Sequence, residues 1–145
     1  MQDLPHVYKA SANADSDSTV IVSSEGLPSL ETAGPVEFGG PGDVWSPEEL
    51  LVAAIADCFI LTFRAMARAS KLKWSSLSCN ATGTLDKLDK VTQFTQFDLS
   101  AALTIPPGTD AGKAERLLQR ADHHCLITNS MKAGSTLDTT VTTTA

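Results

Sequence analysis

The chain predicts an α+β fold with mostly antiparallel sheet, and three observations carry that prediction. A strongly apolar helical pattern occupies residues 46–70. Short β-branched or alternating stretches lie on both sides of it, and a second helical pattern precedes the last of them. Strands, a core helix, strands, a helix and a final strand do not alternate as the βαβ units of a parallel sheet would.

The amino-terminal stretch reads as a hairpin. Residues 7–12 are one candidate strand, and Thr19-Val20-Ile21-Val22, β-branched throughout, is the return strand. Asn13-Ala14-Asp15-Ser16-Asp17-Ser18 between them is turn chemistry. Glu25-Gly26 breaks the chain again, and residues 27–32 add a short third strand. Residues 34–44 form the longest glycine and proline loop. It feeds straight into the apolar helix and is expected to pack against something.

The helix start is well signed. Ser46 supplies a cap, Pro47 fits the first helical position, and Glu49 stands three residues after the cap, as a capping box requires. Glu48 and Glu49 suit the positive end of the helix dipole, and Arg64 and Arg68 its negative end. From Leu50 to Phe63 only Asp57 and Thr62 are strongly polar. That run is shorter than the roughly 20 residues a bilayer needs. The expectation is a central helix wrapped by the rest of the protein, with no membrane span.

Beyond the helix, Leu77, Cys79, Ala81, Gly83 and Leu85 share one face of a strand within residues 72–85; Ser76, Ser78, Asn80 and Thr82 share the other. Phe97, Leu99, Ala101, Leu103 and Ile105 repeat the pattern, and residues 86–91 join the two as a hairpin. Pro106-Pro107-Gly108 stops the second strand. Thr109 or Asp110 caps a helix with an apolar face of Ala111, Ala114, Leu117, Leu118 and Ala121, which Cys125 continues. Lys113, Arg116, Gln119 and Arg120 form its wet side. Residues 137–141 are the last strand.

A chain of 145 residues is naturally one domain, 1–145. Its net charge is −6, with no basic cluster, which argues against nucleic acid and anionic membranes as partners. The amino terminus lacks the basic and apolar regions of a signal peptide. Three cysteines without paired spacing do not make a disulfide framework. A cytoplasmic location is expected, where disulfides that do form are usually catalytic or redox-sensing.

Cys79, between Leu77 and Ala81, reads as core. Cys58 and Cys125 each continue the apolar face of a helix, and where those helices pack the two sulfurs can meet. Such a pair suits peroxide chemistry: one thiolate is oxidised to a sulfenic acid and the second thiol condenses with it. The attacking thiol must be deprotonated. Cys58 is too deep in its helix to feel the amino-terminal dipole strongly, so its activation is expected from side chains elsewhere. Glu48 lies ten residues earlier, about 15 Å along a helix at 1.5 Å per residue. It cannot touch Cys58 of its own chain; it faces solvent or reaches a Cys58 across a two-fold dimer. His123-His124-Cys125 raises two other readings. One is a metal site with Cys58, for which no ligand spacing is present. The other is a Cys-His nucleophile, for which no oxyanion-hole signature is present.

These residues resemble the OsmC/Ohr family of thiol peroxidases. Ser46-Pro47-Glu48-Glu49-Leu50 with Ala53-Ala54 and Cys58 is similar to the family's first signature, and Cys125-Leu126-Ile127-Thr128-Asn129-Ser130 to its second. The resemblance spans residues 8–141. It implies an OsmC-like α+β homodimer with antiparallel sheets wrapped around central helices. It also implies Cys58 as the peroxidatic thiol, Cys125 as the resolving thiol, and Glu48 as a carboxylate supplied across the subunit interface. The implied substrates are organic hydroperoxides and, for some members, hydrogen peroxide. The implied reductant is a dithiol such as a dihydrolipoyl group, with neither metal nor flavin. Two departures stand out. The family's amino-terminal arginine is absent: no arginine precedes Arg64, which leaves Lys9 and His6 as the cations of that region. Leu126 stands where many members carry proline. The missing arginine motivates a rival reading, a protein on the same scaffold that binds an apolar ligand near Cys58 without turnover.

Overall fold

A computed structural model describes residues Met1–Ala145 as two compact units, Met1–Leu50 and Leu51–Ala145. The fold is α+β.

In the first unit, β1 (Ser11–Asn13), β2 (Val20–Ser23) and β3 (Leu30–Thr32) form an antiparallel sheet in that order. Ser11 pairs with Ser23, and Val20 with Thr32. The first strand is shorter and later than residues 7–12. Only three residues find partners, because β2 is bounded by the 14–18 turn and by Ser24; Val7 and Tyr8 stay 80% and 86% exposed. The glycine and proline loop packs against itself. Val36–Phe38 is a 3₁₀ turn closed by Gly39 at φ +83°, and the Gly40 amide donates to the Pro35 carbonyl at 2.9 Å. A Cβ on Gly40 would lie 1.6 Å from the Gly34 carbonyl oxygen, so only glycine fits there. The Ala33 amide bonds to the Trp45 carbonyl and ties the loop ends together.

Helix α1 (Pro47–Ala69) begins in the first unit and continues through the second. Its capping box is complete: the Glu49 amide donates to Ser46 Oγ at 3.1 Å, and the Ser46 amide donates to Glu49 Oε2 at 3.0 Å. A cap of this kind is worth about 1 kcal/mol. At the far end the Leu72 amide closes on the Ala67 carbonyl, with Lys71 at φ +55°.

Only one stripe of this helix is fully buried: Ile55, Phe59, Phe63 and Ala67, each four residues after the last. Two expectations are corrected here. The helix is not wrapped on every side by its own chain: Leu61 is 50% exposed, and Leu51, Val52, Ile60 and Met66 are partly so. The apolar run also does not end at Phe63. Ala65, Met66, Ala67 and Ala69 carry it on, and the 23-residue helix is long and apolar enough, by length and composition alone, to cross a membrane.

In the second unit β4 (Ser76–Leu88), β5 (Val91–Ile105) and β6 (Gly134–Thr143) form a sheet in that order. β4 and β5 are antiparallel with Cys79 opposite Ala101, and a bulge at Thr84/Leu85 shifts the register. The connection expected over residues 86–91 shrinks to Asp89 and Lys90, both at positive φ (50° and 67°). Two successive positive φ values match the twist of a hairpin, so the strands pair right up to the turn. β6 runs parallel to β5 and is longer than residues 137–141. The parallel pairing follows from the helical crossover that returns the chain.

That crossover contains α2 (Ala111–His124) and α3 (Leu126–Asn129). Asp110 caps α2 by accepting from the Lys113 amide at 3.0 Å. Ala114, Leu117, Leu118 and Ala121 are buried as expected, while Ala111 is exposed. They join Ile55, Phe59, Phe63, Phe97, Leu103 and Ile105 in one core. Cys125 is buried but not helical: it is the extended residue (φ −67°, ψ 110°) between α2 and α3.

Candidate active site

Cys58 and Cys125 come together in the second unit. Cys58 sits mid-way along α1, half-buried, one position before the buried Phe59. Cys125 approaches it from the break between α2 and α3, near enough that each thiol acts on the ionisation of the other. All three cysteines are free thiols.

The two sulfurs have opposite surroundings. Burial pushes the Cys58 thiol up, but four donors outweigh it: the Ile127 amide, the Cys125 side chain, the Thr62 hydroxyl and the Leu126 amide. The result lies below the ordinary thiol value. Thr62 Oγ1 stands 3.9 Å from Cys58 Sγ, one helical turn on. Cys125 goes the other way. Its burial dominates and raises it, offset in part by the Thr128 hydroxyl (3.3 Å to Cys125 Sγ) and the Thr128 amide; the neighbouring Cys58 raises it further. One thiol is therefore poised to ionise beside another held protonated.

Side chains account for part of what lowers the Cys58 thiol, namely the Cys125 thiol and the Thr62 hydroxyl. Two of its four donors are backbone N–H groups, and no cationic side chain is among them. Sequence reading misses these amides because a backbone donor carries no residue identity. Thr62 and Thr128 were within reach of a spacing argument, at four residues after Cys58 and three after Cys125.

Cys79 also lies near this pair, on β4 at the edge of the core. Burial raises its thiol to about 11, and the charges of Cys125 and Asp122 add to the effect. Asp122 is itself raised by burial, and its Oδ1 is shut away from solvent without a hydrogen-bond partner. His123 and His124 are exposed at the end of α2, and neither is among the groups that act on the two sulfurs.

Glu48 is in the first turn of α1 and is not among the groups that touch either sulfur. It is half-buried, and its Oε2 has neither solvent nor a hydrogen-bond partner. A buried polar oxygen without a partner is costly, on the order of 1–3 kcal/mol.

A cavity of about 170 Å³ lies against the same helix, lined by Leu51, Phe94, Phe97, Met131, Lys132 and Ala133. Leu51 is two turns before Cys58 on the same helix face, about 10 Å along the axis. Its walls are apolar apart from Lys132.

The family model described as OsmC-like protein matches residues 40–140. Peroxiredoxin OsmC of Escherichia coli is 32% identical over 93 residues, which are 64% of this chain and 64% of that protein. Among solved structures, an OsmC-like protein of Vibrio cholerae superposes with a TM-score of 0.85 at 21% identity, over 94% of this chain and 100% of that one. An organic hydroperoxide resistance protein of Legionella pneumophila superposes with a TM-score of 0.70 at 25% identity, over 95% and 99%.

Proposed function

This chain belongs to the OsmC-like protein family, and from that premise we propose that it is a cysteine-based peroxidase that reduces organic hydroperoxides. The observation that carries the reading is the asymmetric pair: a Cys58 thiol held low by four donors against a buried Cys125 thiol held high.

The Cys58 thiolate attacks the outer oxygen of the peroxide. The O–O bond breaks, the alkoxide takes a proton and leaves as an alcohol, and Cys58 becomes a sulfenic acid. The Cys125 sulfur then attacks the Cys58 sulfur, loses its proton, and displaces the hydroxyl as water. The product is a Cys58–Cys125 disulfide. An outside dithiol, of lipoyl type in this reading, restores both thiols by two exchange steps and is itself oxidised. No step uses a metal or a flavin. The apolar cavity beside α1 gives the organic part of the peroxide a place to rest.

The working unit in this proposal is a cytoplasmic homodimer of single OsmC-like domains, with Glu48 serving Cys58 of the partner chain. Two observations support it. α1 leaves Leu61 exposed and Leu51, Val52, Ile60 and Met66 only partly covered by its own chain, and Glu48 Oε2 lacks a partner. The rival reading, a binder of an apolar ligand in the same cavity, is favoured by the absence of a cation around Cys58.

Consumption of cumene hydroperoxide with dihydrolipoamide as reductant separates the two. Catalytic turnover that disappears in Cys58→Ser supports the peroxidase. Absence of turnover beyond one equivalent, with cumyl alcohol or a fatty acid binding instead, supports the binder.

A further inference from the structure

Gly83 interrupts the inner face of β4, and the space it leaves is filled. A Cβ there would lie 2.8 Å from Val52 Cγ2 on α1, and 2.9 Å and 3.1 Å from Cε1 and Cδ1 of Phe94. Glycine inside a strand often marks such a close approach. The bulge beside it supplies the ring. Gly83 pairs with Phe97 and Leu85 with Phe94, so a step of two residues along β4 matches a step of three along β5. In an unbroken strand, residues three apart point to opposite faces. The extra residue of the bulge turns Phe94 to the side of Phe97. The two rings stack, with centroids 5.2 Å apart and planes at 28°. Both line the cavity of about 170 Å³. The bulge and the glycine together build its aromatic wall.

We infer that this cavity is a subsite for a single aromatic ring, and that Gly83 is the residue that sets this specificity. The favoured substrates are then hydroperoxides that carry the peroxide on a short alkyl arm of an aryl group. This rests on the peroxidase reading and names its substrate class. Three features support it. The volume suits one ring, since an apolar cavity of roughly 150 Å³ takes up benzene. A ring beside Phe94 and Phe97 gains stacked or edge-on contacts that a saturated group lacks. Leu51, on the wall, is about 10 Å from Cys58 along the helix axis, a span that a ring and a short arm cover. Gly83 matters because Phe97, stacked against Phe94, is fully buried and leaves that ring no other retreat. A methyl group at 83 would push Phe94 into the cavity, where the free volume lies.

The test compares kcat/KM for cumene hydroperoxide and tert-butyl hydroperoxide, which differ by a phenyl for a methyl group. The parent should prefer cumene hydroperoxide to both the tert-butyl compound and the 2-cyclohexyl-2-propyl analogue. Gly83→Ala should cut the cumene to tert-butyl ratio about tenfold, the scale of one methylene in a fitted pocket. Loss of fold would lower both rates and leave the ratio. Ala133→Leu fills the same cavity from another wall without touching β4, and should lower the ratio too.

A ratio unchanged in both variants, or a cyclohexyl substrate as good as the aryl one, would overturn the inference and leave the peroxidase standing. The peroxidase reading fails separately. Ligand-observed NMR of cumyl alcohol with Cys58→Ser reads the subsite without turnover. Binding that is lost on adding Gly83→Ala, in a protein whose parent turns over no peroxide, supports the subsite and refutes the peroxidase.

Discussion

Cys58 and Cys79 are the same side chain in two settings of one unit, both half-buried and both influenced by Cys125. Around Cys79 on β4, burial has nothing to oppose it, and the thiol rises to about 11. Around Cys58 on α1, burial is also the largest single influence, yet donors from Ile127, Cys125, Thr62 and Leu126 together reverse it. Burial by itself therefore does not distinguish a packing cysteine from a reactive one. What distinguishes them is the number of hydrogen-bond donors aimed at the sulfur.

The contrast can be broken or sharpened by substitution, with effects that should fall in a definite order. Cys58→Ser should reduce hydroperoxide consumption to the uncatalysed rate, measured by loss of peroxide under excess dithiol. Cys125→Ser should spare the first oxidation but remove the disulfide. Cys58 would then persist as a sulfenic acid, trapped by dimedone, and pass to the sulfinic acid under excess peroxide. Thr62→Val removes a long, neutral donor at nearly constant volume. A net bond of about 1 kcal/mol predicts a rate near neutral pH lower by up to about fivefold, recovered as the pH rises. Cys79→Ser should change neither the rate nor the disulfide. A pH profile adds the sign: the thiolate is the reactive form, so the rate should climb with pH and level off below the range of an ordinary thiol, because the Cys58 thiol is lowered. In competitive alkylation at neutral pH, Cys58 should label first and Cys79 last.

Much of this arrangement was legible in the residues. The capping box at Ser46 and Glu49, the period-two face of β4, and the buried Ala114, Leu117, Leu118 and Ala121 of α2 all follow from local chemistry. That Cys58 and Cys125 can approach each other was legible as a consequence of packing two apolar elements, although Cys125 lies outside the helix on which its spacing placed it. Other features were not. Cys125 does not continue α2, because the helix ends at His124 and an extended residue starts a new turn; periodicity says where a face points, not where it stops. The parallel β5–β6 pair depends on the path of the crossover rather than on any residue of β6. The residues of α1 do not by themselves tell which surface covers them, because an apolar residue looks the same whether its own chain or another surface covers it. The donors at Leu126 and Ile127 were invisible because every residue but proline has one.

The most direct measurement is a peptide map after one equivalent of cumene hydroperoxide, with free thiols blocked before digestion. The account predicts one disulfide, Cys58 to Cys125, with Cys79 recovered as a blocked free thiol. Peroxide consumed while all three thiols stay reduced, or a disulfide that contains Cys79, would contradict it.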